Sequence, residues 1–311
     1  MSDVRLALLG TSGFAKSYIE VAKKSGAEFA WIHSRDKSRA ENFSKSFNIP
    51  KFTDNLSAIL DDKTISGVVI CTEPSRHIDL AVPILDSGMS VLIEKPLDID
   101  ADKARLFYEK YQGMSHKISV SSPKRFDPIL IKMKKLFDNK REDQCALALV
   151  TLLWSRDEAY YKAGNGWRAK ESSVLLNQAI HWIDVCHWFF GDVDTCSTQS
   201  VSSQKFLECS DQSLLQIKYK NNIQVSLIAS TALSKKYPDR FEIYFADQKL
   251  SYQDFLRNSR FKNKVLSRFQ PTSLQEQLSD FVKSIRENKM PTTTLQSGMA
   301  AMQTALGSLH R

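Results

Sequence analysis

Two rhythms of apolar and polar positions divide the chain. Over the first 120 residues, short continuous apolar runs alternate with stretches of helical spacing. Val4–Leu9, Glu28–His33, Ser66–Cys71, Val91–Ile93 and Lys117–Val120 read as strands. Ala15–Ser25, Lys37–Phe47, Ser75–Ser87 and Ala101–Tyr111 read as the helices between them. A strand that is apolar at every position has both faces covered. Such strand–helix repetition predicts an α/β domain with a parallel, doubly wound sheet and right-handed crossovers.

Past Ser121 the rhythm changes. A helix at Pro128–Phe137 precedes the long apolar stretch Cys145–Trp154, and a helical segment follows at Val174–Phe190. Val193–Val201, Ser213–Lys218, Gln224–Ser230 and Phe241–Phe245 then read as strands without long helices between them. That pattern predicts a C-terminal α+β domain with a large, mostly antiparallel, open sheet. Leu274–Glu287 and Ser297–Leu309 close the chain as helices. The expected domains are 1–120 and 121–311.

Composition narrows the function classes. With 311 residues, 42% apolar and 25% charged, the chain suits a two-domain globular protein. No apolar run is long enough to span a bilayer. The N-terminus enters a strand without the basic, apolar and small-residue order of a leader, so a cytoplasmic protein with no membrane partner is expected. Cys71, Cys145, Cys186, Cys196 and Cys209 form no CxxC and read as thiols of a reducing compartment, with no metal site. The net charge of +8 is spread along the chain and reads as a solvated basic surface, not a nucleic-acid site. The exception is Arg257–Arg268, with five cations and no acid between Phe255 and Phe269. Such a stretch suits either a solvated loop or the phosphates of a substrate.

The first strand-to-helix turn reads Gly10-Thr11-Ser12-Gly13-Phe14-Ala15. A dinucleotide fingerprint places glycine where Ser12 stands, but Gly10 allows the tight turn and Ala15 is small enough for helix to meet strand. Free amides at the helix start suit a pyrophosphate. The second strand ends at Ser34 and Arg35, with Arg39 a turn further on, where an acid would read the ribose of NAD. A guanidinium pairs with phosphate in a fork, so NADP(H) is favoured over NAD(H). The third strand ends Cys71-Thr72-Glu73-Pro74, with His77 at the following helix start, in a loop expected to line the cofactor crevice.

These stretches, followed by Glu94-Lys95-Pro96, by Arg125–Pro128, by Tyr160–Arg168 and by Asn177–Asp184, resemble the glucose–fructose oxidoreductase/inositol dehydrogenase/MocA (Gfo/Idh/MocA) family over nearly the whole chain. The resemblance implies a Rossmann-type N-terminal domain and a C-terminal substrate domain. It implies a cis Lys95–Pro96 bond, with Lys95 aimed at the nicotinamide side of a cleft. Lys95 would be the acid/base and His181 its partner. Asn177 and His181 stand four apart and share a helical face with Asp184. Arg125, Tyr160, Trp167 and Arg168 would complete the substrate contacts.

Relatives often carry aspartate at the position of Asn177. The stretch NQAIHWID is most similar to the branch that oxidises nucleotide-linked N-acetylhexosaminuronic acids at C3. Ser172 and Ser173 depart from the glycines of many relatives. The expected reaction is hydride transfer between nicotinamide and a carbinol carbon of a sugar or nucleotide-sugar. Dehydrogenation of a free sugar, inositol or trans-dihydrodiol is the alternative within enzymes. A cofactor-sensing regulator of the same fold is the alternative outside them, disfavoured by the intact Lys95 and His181. The open sheet needs a cover, so a homodimer or homotetramer through it is expected.

Overall fold

The computed structural model describes residues 3–139, 145–164, 166–262 and 272–307, with side chains throughout except at 145, 146 and 258–262. The chain divides into two compact units. One comprises Met1–Pro123 and Thr272–Met299, the other Lys124–Pro271 and Ala300–Arg311.

The first unit alternates β1 (Val4–Leu9), α1 (Gly13–Ala22), β2 (Ala27–His33), α2 (Lys37–Phe47), β3 (Lys51–Thr53), α3 (Ser57–Leu60), β4 (Gly67–Ile70), α4 (His77–Asp86), β5 (Ser90–Ile93), α5 (Ala101–Tyr111) and β6 (Ile118–Val120). The sheet is parallel throughout, in the order β3-β2-β1-β4-β5-β6. The order reverses between β1 and β4, so the loops at their carboxyl ends flank the crevice where such sheets bind ligands. Leu6, Leu8, Val69 and Leu92 are fully buried, as expected for strands covered on both faces.

Besides the one-turn α3, the sequence pattern missed two features of this unit. β3 is a three-residue edge strand, too short to show a period. The second is the return of the chain after residue 271. Leu278, Phe281 and Val282 of a late helix (Ser273–Glu287) pack into the core of α1, β1 and β2. The expected split at 120/121 left that segment in the C-terminal domain. An amphipathic stripe says that a helix covers something, not which sheet it covers. The last helix (Leu295–Leu306) begins against β6, and a Cβ on Gly298 would stand 2.5 Å from Val120 Cγ1. Only glycine permits that approach.

The second unit contains α6 (Pro128–Asp138), β7 (Cys145–Leu153), α7 (Glu158–Lys162), α8 (Trp167–Lys170), a π-helical turn (Leu175–Ala179), α9 (Ile180–Phe190), β8 (Val193–Val201), β9 (Gln212–Tyr219), β10 (Gln224–Ser230), β11 (Arg240–Phe245), β12 (Lys249–Ser251) and α10 (Tyr252–Lys262). The sheet order is β12-β11-β7-β10-β9-β8. It is antiparallel except for the parallel β7–β10 pair, between which the chain runs through α7–α9, β8 and β9. Ala148, Val150, Leu227, Leu215, Ile217, Phe241 and Ile243 point to the buried face. Phe189 and Trp182 of α9 meet Phe241 there, with ring centroids 5.1 and 5.6 Å apart. The alternate positions Leu147, Leu149, Leu214 and Ile228 are exposed on the other face.

The predicted helix at Val174–Phe190 therefore starts with a π turn, a form that often marks functional sites. Arg257 lies in α10 and not in a loop. The side chains of the remaining cations from Arg260 to Arg268 lie outside the described residues.

Candidate functional site

Each unit carries a polar cluster built from the predicted site residues. In the first unit, β1 runs into Gly10, whose φ of +107° suits glycine. A Cβ there would stand 2.5 Å from the carbonyl oxygen of Cys71, so the turn is pressed against the end of β4. Ser12 caps α1 by accepting from the amide of Ala15 at 3.3 Å. That accounts for serine in the middle of the glycine turn: it satisfies one of the free helix-start amides. Thr11 is half-buried, and Ser12, Gly13 and Phe14 are exposed. A Cβ on Gly13 would meet nothing within 4 Å. A tight turn, open space and a helix N-terminus fit the pyrophosphate of a dinucleotide.

At the tip of β2, Asp36 is committed to capping α2 through the amide of Arg39, while Arg39 itself is exposed. Ser34 Oγ accepts from the amide of Asp36. Arg35 pairs with Glu73 at 2.7 Å, tying the β2 and β4 loops together. The Arg35 side chain keeps 64% of its exposure, so the pair is a solvent-facing latch and not a buried lock.

His77, expected among the cofactor contacts, is fully buried at the start of α4. Nδ1 lies 2.8 Å from the carbonyl of Pro96 and Nε2 3.2 Å from that of Thr72. Burial outweighs both carbonyls and lowers its pKa to about 4. Neutral imidazole has one N–H, which the shorter contact assigns to Nδ1. Both ring nitrogens are thus turned to the backbone. The Nδ1–H holds the carbonyl of Pro96, which gives His77 a positioning role at this loop. The Lys95–Pro96 bond is cis, as the family resemblance implied.

Glu94 is buried at the end of β5. Tyr18 of α1 donates to its Oε1 at 2.7 Å, and the amide of Lys95 donates to its Oε2 at 3.2 Å. Gln277 Nε2 donates to Tyr18 and to Ser121, while its Oε1 accepts from the amide of Ser122 at 2.7 Å. Burial raises the pKa of Glu94 and, more strongly, that of Tyr18. Lys95 itself is half-buried. Tyr18 and Gln277 escaped the sequence reading because neither belongs to a motif and Gln277 lies far along the chain.

In the second unit, Asn177 and Gln178 are buried in the π turn and His181 is half-buried one turn on. Gln178 and Asn177 donate to the hydroxyl of Tyr160 at 3.1 and 3.4 Å. Gln178 had no spacing signal, because a regular helix would turn it away from Asn177. Arg125 and Asp184 form a two-point fork, both contacts at 2.8 Å, with little exposure. They were expected to touch substrate; the structure spends them on one another, and a buried fork of this kind is costly to open. Trp167 and Arg168 stack, with Cζ 4.5 Å from the ring centroid. Among the described residues no cluster of His, Cys, Asp or Glu has metal-holding geometry.

Two family models match this chain. One is described as an oxidoreductase family with an NAD-binding Rossmann fold (residues 4–122), the other as the GFO/IDH/MocA C-terminal domain (131–251). Among curated proteins, Oxidoreductase P35 of Formosa agariphila is 24% identical over 72% of this chain and 72% of its own. Inositol 2-dehydrogenase of Rhizobium meliloti is 26% identical over 65% of this chain and 60% of its own. Among solved structures, WlbA dehydrogenase from Bordetella pertussis, in complex with NADH and UDP-GlcNAcA, superposes with a TM-score of 0.87 at 16% identity, over 98% of this chain and 94% of that one. A myo-inositol dehydrogenase from Corynebacterium glutamicum gives 0.80 at 18%, over 99% and 96%. At such identities the structural likeness establishes a shared fold.

Proposed function

The chain belongs to the Gfo/Idh/MocA family of NAD-binding oxidoreductases, and from that premise we propose that it moves a hydride between nicotinamide and C3 of a nucleotide-linked hexosaminuronate. The observation that carries the reading is the half-buried His181 beside Asn177 and Gln178, which are anchored on Tyr160, on a helix otherwise given to the core. Amides in place of a carboxylate bind hydroxyl and acyl groups without adding charge.

Gly10, Ser12 and the start of α1 hold the pyrophosphate, and the Arg35 loop lies at the ribose end. When bound, the nicotinamide takes up or returns the hydride. Lys95 holds the reacting hydroxyl and takes its proton as the carbinol C–H gives up its hydride and the carbonyl forms. His181 is the partner in proton transfer that the family resemblance implies. Asn177 and Gln178 orient the sugar. Glu94 fixes the backbone amide of Lys95, and His77 fixes the carbonyl of Pro96. In the reverse direction Lys95 returns the proton to the alkoxide. The cell compartment consistent with this chemistry is the cytoplasm.

The test is nicotinamide absorbance with a UDP-N-acetylhexosaminuronate, myo-inositol and glucose as separate substrates. Turnover of the uronate alone is the expected result. Turnover of inositol alone would favour the second reading, polyol dehydrogenation, for which inositol dehydrogenases among the curated relatives are the reason.

A further inference from the structure

Tyr160 joins two sets of side chains within the second unit. Its hydroxyl accepts from Asn177 and Gln178, and its ring centroid lies 4.6 Å from Arg156 Cζ and 5.1 Å from Arg168 Cζ. The stacking continues on either side. Arg168 lies 4.5 Å from the ring of Trp167, and Arg156 lies 5.0 Å from that of Trp154. Trp154 also carries Lys236 Nζ at 4.3 Å. Rings and cations therefore alternate in the order Trp167, Arg168, Tyr160, Arg156, Trp154, Lys236.

This ladder lacks counter-charges. Among the described residues, none of its three cations forms an ion pair; Glu171 at the end of α8 keeps a buried Oε2 without a partner, and three other acids of these segments are committed elsewhere. Asp157 caps α7 through the amide of Tyr160, Glu158 pairs with Lys162, and Asp239 takes the indole N–H groups of Trp154 and Trp182. Arg156 Nε is enclosed and has no hydrogen-bond partner. An enclosed guanidinium N–H without an acceptor is costly, which points to a ligand that supplies one.

The charge count selects the ligand. A single carboxylate would answer one of three cations. A diphosphate brings at least two charges and acceptor oxygens spaced for guanidinium forks. The aromatic rings hold the arginines in place, which lowers the ordering cost of binding. We propose that this ladder seats the diphosphate of a nucleoside diphosphate-sugar, with the Tyr160 hydroxyl at the passage from phosphate to sugar. The inference rests on the sugar-oxidoreductase reading above and deepens it.

The full chain, saturated with NADH, is titrated with UDP, inorganic pyrophosphate and glucuronate by tryptophan fluorescence and calorimetry. UDP and pyrophosphate are expected to bind and glucuronate to bind far more weakly. Arg156→Gln and Arg168→Gln should each raise the dissociation constant for UDP by about tenfold or more, while NADH affinity holds. Raising the salt should weaken UDP binding in the parent and do so less in the variants. Arg156→Lys, which keeps the charge and the stem on the rings, covers the case in which the glutamine variant fails to fold; it should still weaken UDP binding through loss of the fork. Glucuronate binding in preference to UDP, no UDP binding, or equal UDP binding by parent and variants would each overturn the seat. A variant that oxidises a sugar normally and binds UDP unchanged removes the seat and leaves the reaction standing. UDP held through Arg156 and Arg168, with no sugar ever oxidised, does the reverse.

Discussion

Tyr18 donates its phenolic hydrogen to Glu94 at 2.7 Å inside the core of the first unit. The carboxylate it serves also accepts the amide of Lys95, so the loop carrying the candidate acid/base is fastened from within. Burial raises the pKa of Glu94 above its ordinary 4.5, with Tyr18 and Lys95 opposing. A raised carboxyl pKa means that folding favours the protonated form. Stability from this group is thus fully present below 4.5 and is lost as pH rises through the folded value. Glu94→Gln should gain melting temperature relative to the parent as pH rises. Tyr18→Phe, which leaves a buried acceptor short of a donor, should cost about 1–3 kcal/mol near neutrality. Melts across pH check both, and a pH-independent difference for Glu94→Gln would refute the linkage.

His77 titrates in the opposite sense. Its folded pKa of about 4 lies below the ordinary 6.5, so its contribution is complete above 6.5 and is lost as pH falls through about 4. His187, between the hydroxyls of Tyr219 and Thr304, is lowered to about 4 by burial and adds a loss in the same window. Each pKa unit is worth about 1.4 kcal/mol. His77→Gln should flatten part of the acid limb of a stability–pH curve measured by denaturant melts. It should also lower kcat more than cofactor affinity, because its Nδ1–H positions Pro96 beside Lys95.

The parallel sheet was legible because its strands are apolar at every position, and the glycine turn because Gly10 has no alternative against Cys71. In the second unit β7 to β11 and α6 followed from period, whereas α7, α8, β12 and α10 did not, and neither did the parallel β7–β10 pair, since period says nothing of partners. Tyr18, Gln277 and Gln178 were invisible for related reasons. A buried hydrogen-bond network joins residues by space, and the π turn breaks the helical spacing that would place Gln178. Arg156, Trp154 and Lys236 each look like ordinary surface residues; only their stacking on Tyr160 distinguishes them. The Arg257–Arg268 stretch, which suits either a solvated loop or phosphates, lies mostly outside the described residues, and the proposed diphosphate seat rests on the ladder alone.

Cofactor choice turns on the Arg35–Glu73 latch. The pair holds the guanidinium at the ribose end but also neutralises it. We expect tighter binding of NADPH than of NADH, with Arg35→Ala narrowing the gap. Glu73→Gln should widen it by freeing the fork for a 2′-phosphate. Fluorescence titration with both cofactors decides. Equal affinities in the parent, or no response to Glu73→Gln, would assign the latch a purely structural role.

Catalysis separates Lys95 from the groups around it. Lys95→Met should abolish turnover while NADH still binds, since the proposed mechanism puts Lys95 at the reacting oxygen and the pyrophosphate on the glycine turn. His181→Ala should slow turnover by roughly two to four powers of ten if it carries the proton onward. Single-turnover kinetics with saturating cofactor reads both; full turnover in the Lys95 variant would end the mechanism.

The second unit leaves Leu147, Leu149, Leu214 and Ile228 exposed on the outer face of its sheet, at 37–46% of full exposure. Ile228 and Leu214 face each other across β10 and β9, so two of the four form one continuous ridge. Glu242, Ser226 and Gln216 lie in register beside Leu149 and give the patch a polar border. A clustered apolar face with a polar rim is costly in water and suits a self-complementary contact, because each copy brings the same ridge to a two-fold axis. We therefore expect a homodimer, or a tetramer built from it, through this face. Ile228→Lys would place two like charges near that axis and should yield monomers by light scattering at micromolar concentration. The lysine side chain stays in solvent in the monomer, so the melting temperature should fall only by what the lost interface contributed, and should stop depending on protein concentration. A parent protein that scatters as a monomer, or an Ile228→Lys variant that assembles as before, would leave the sheet face without this role.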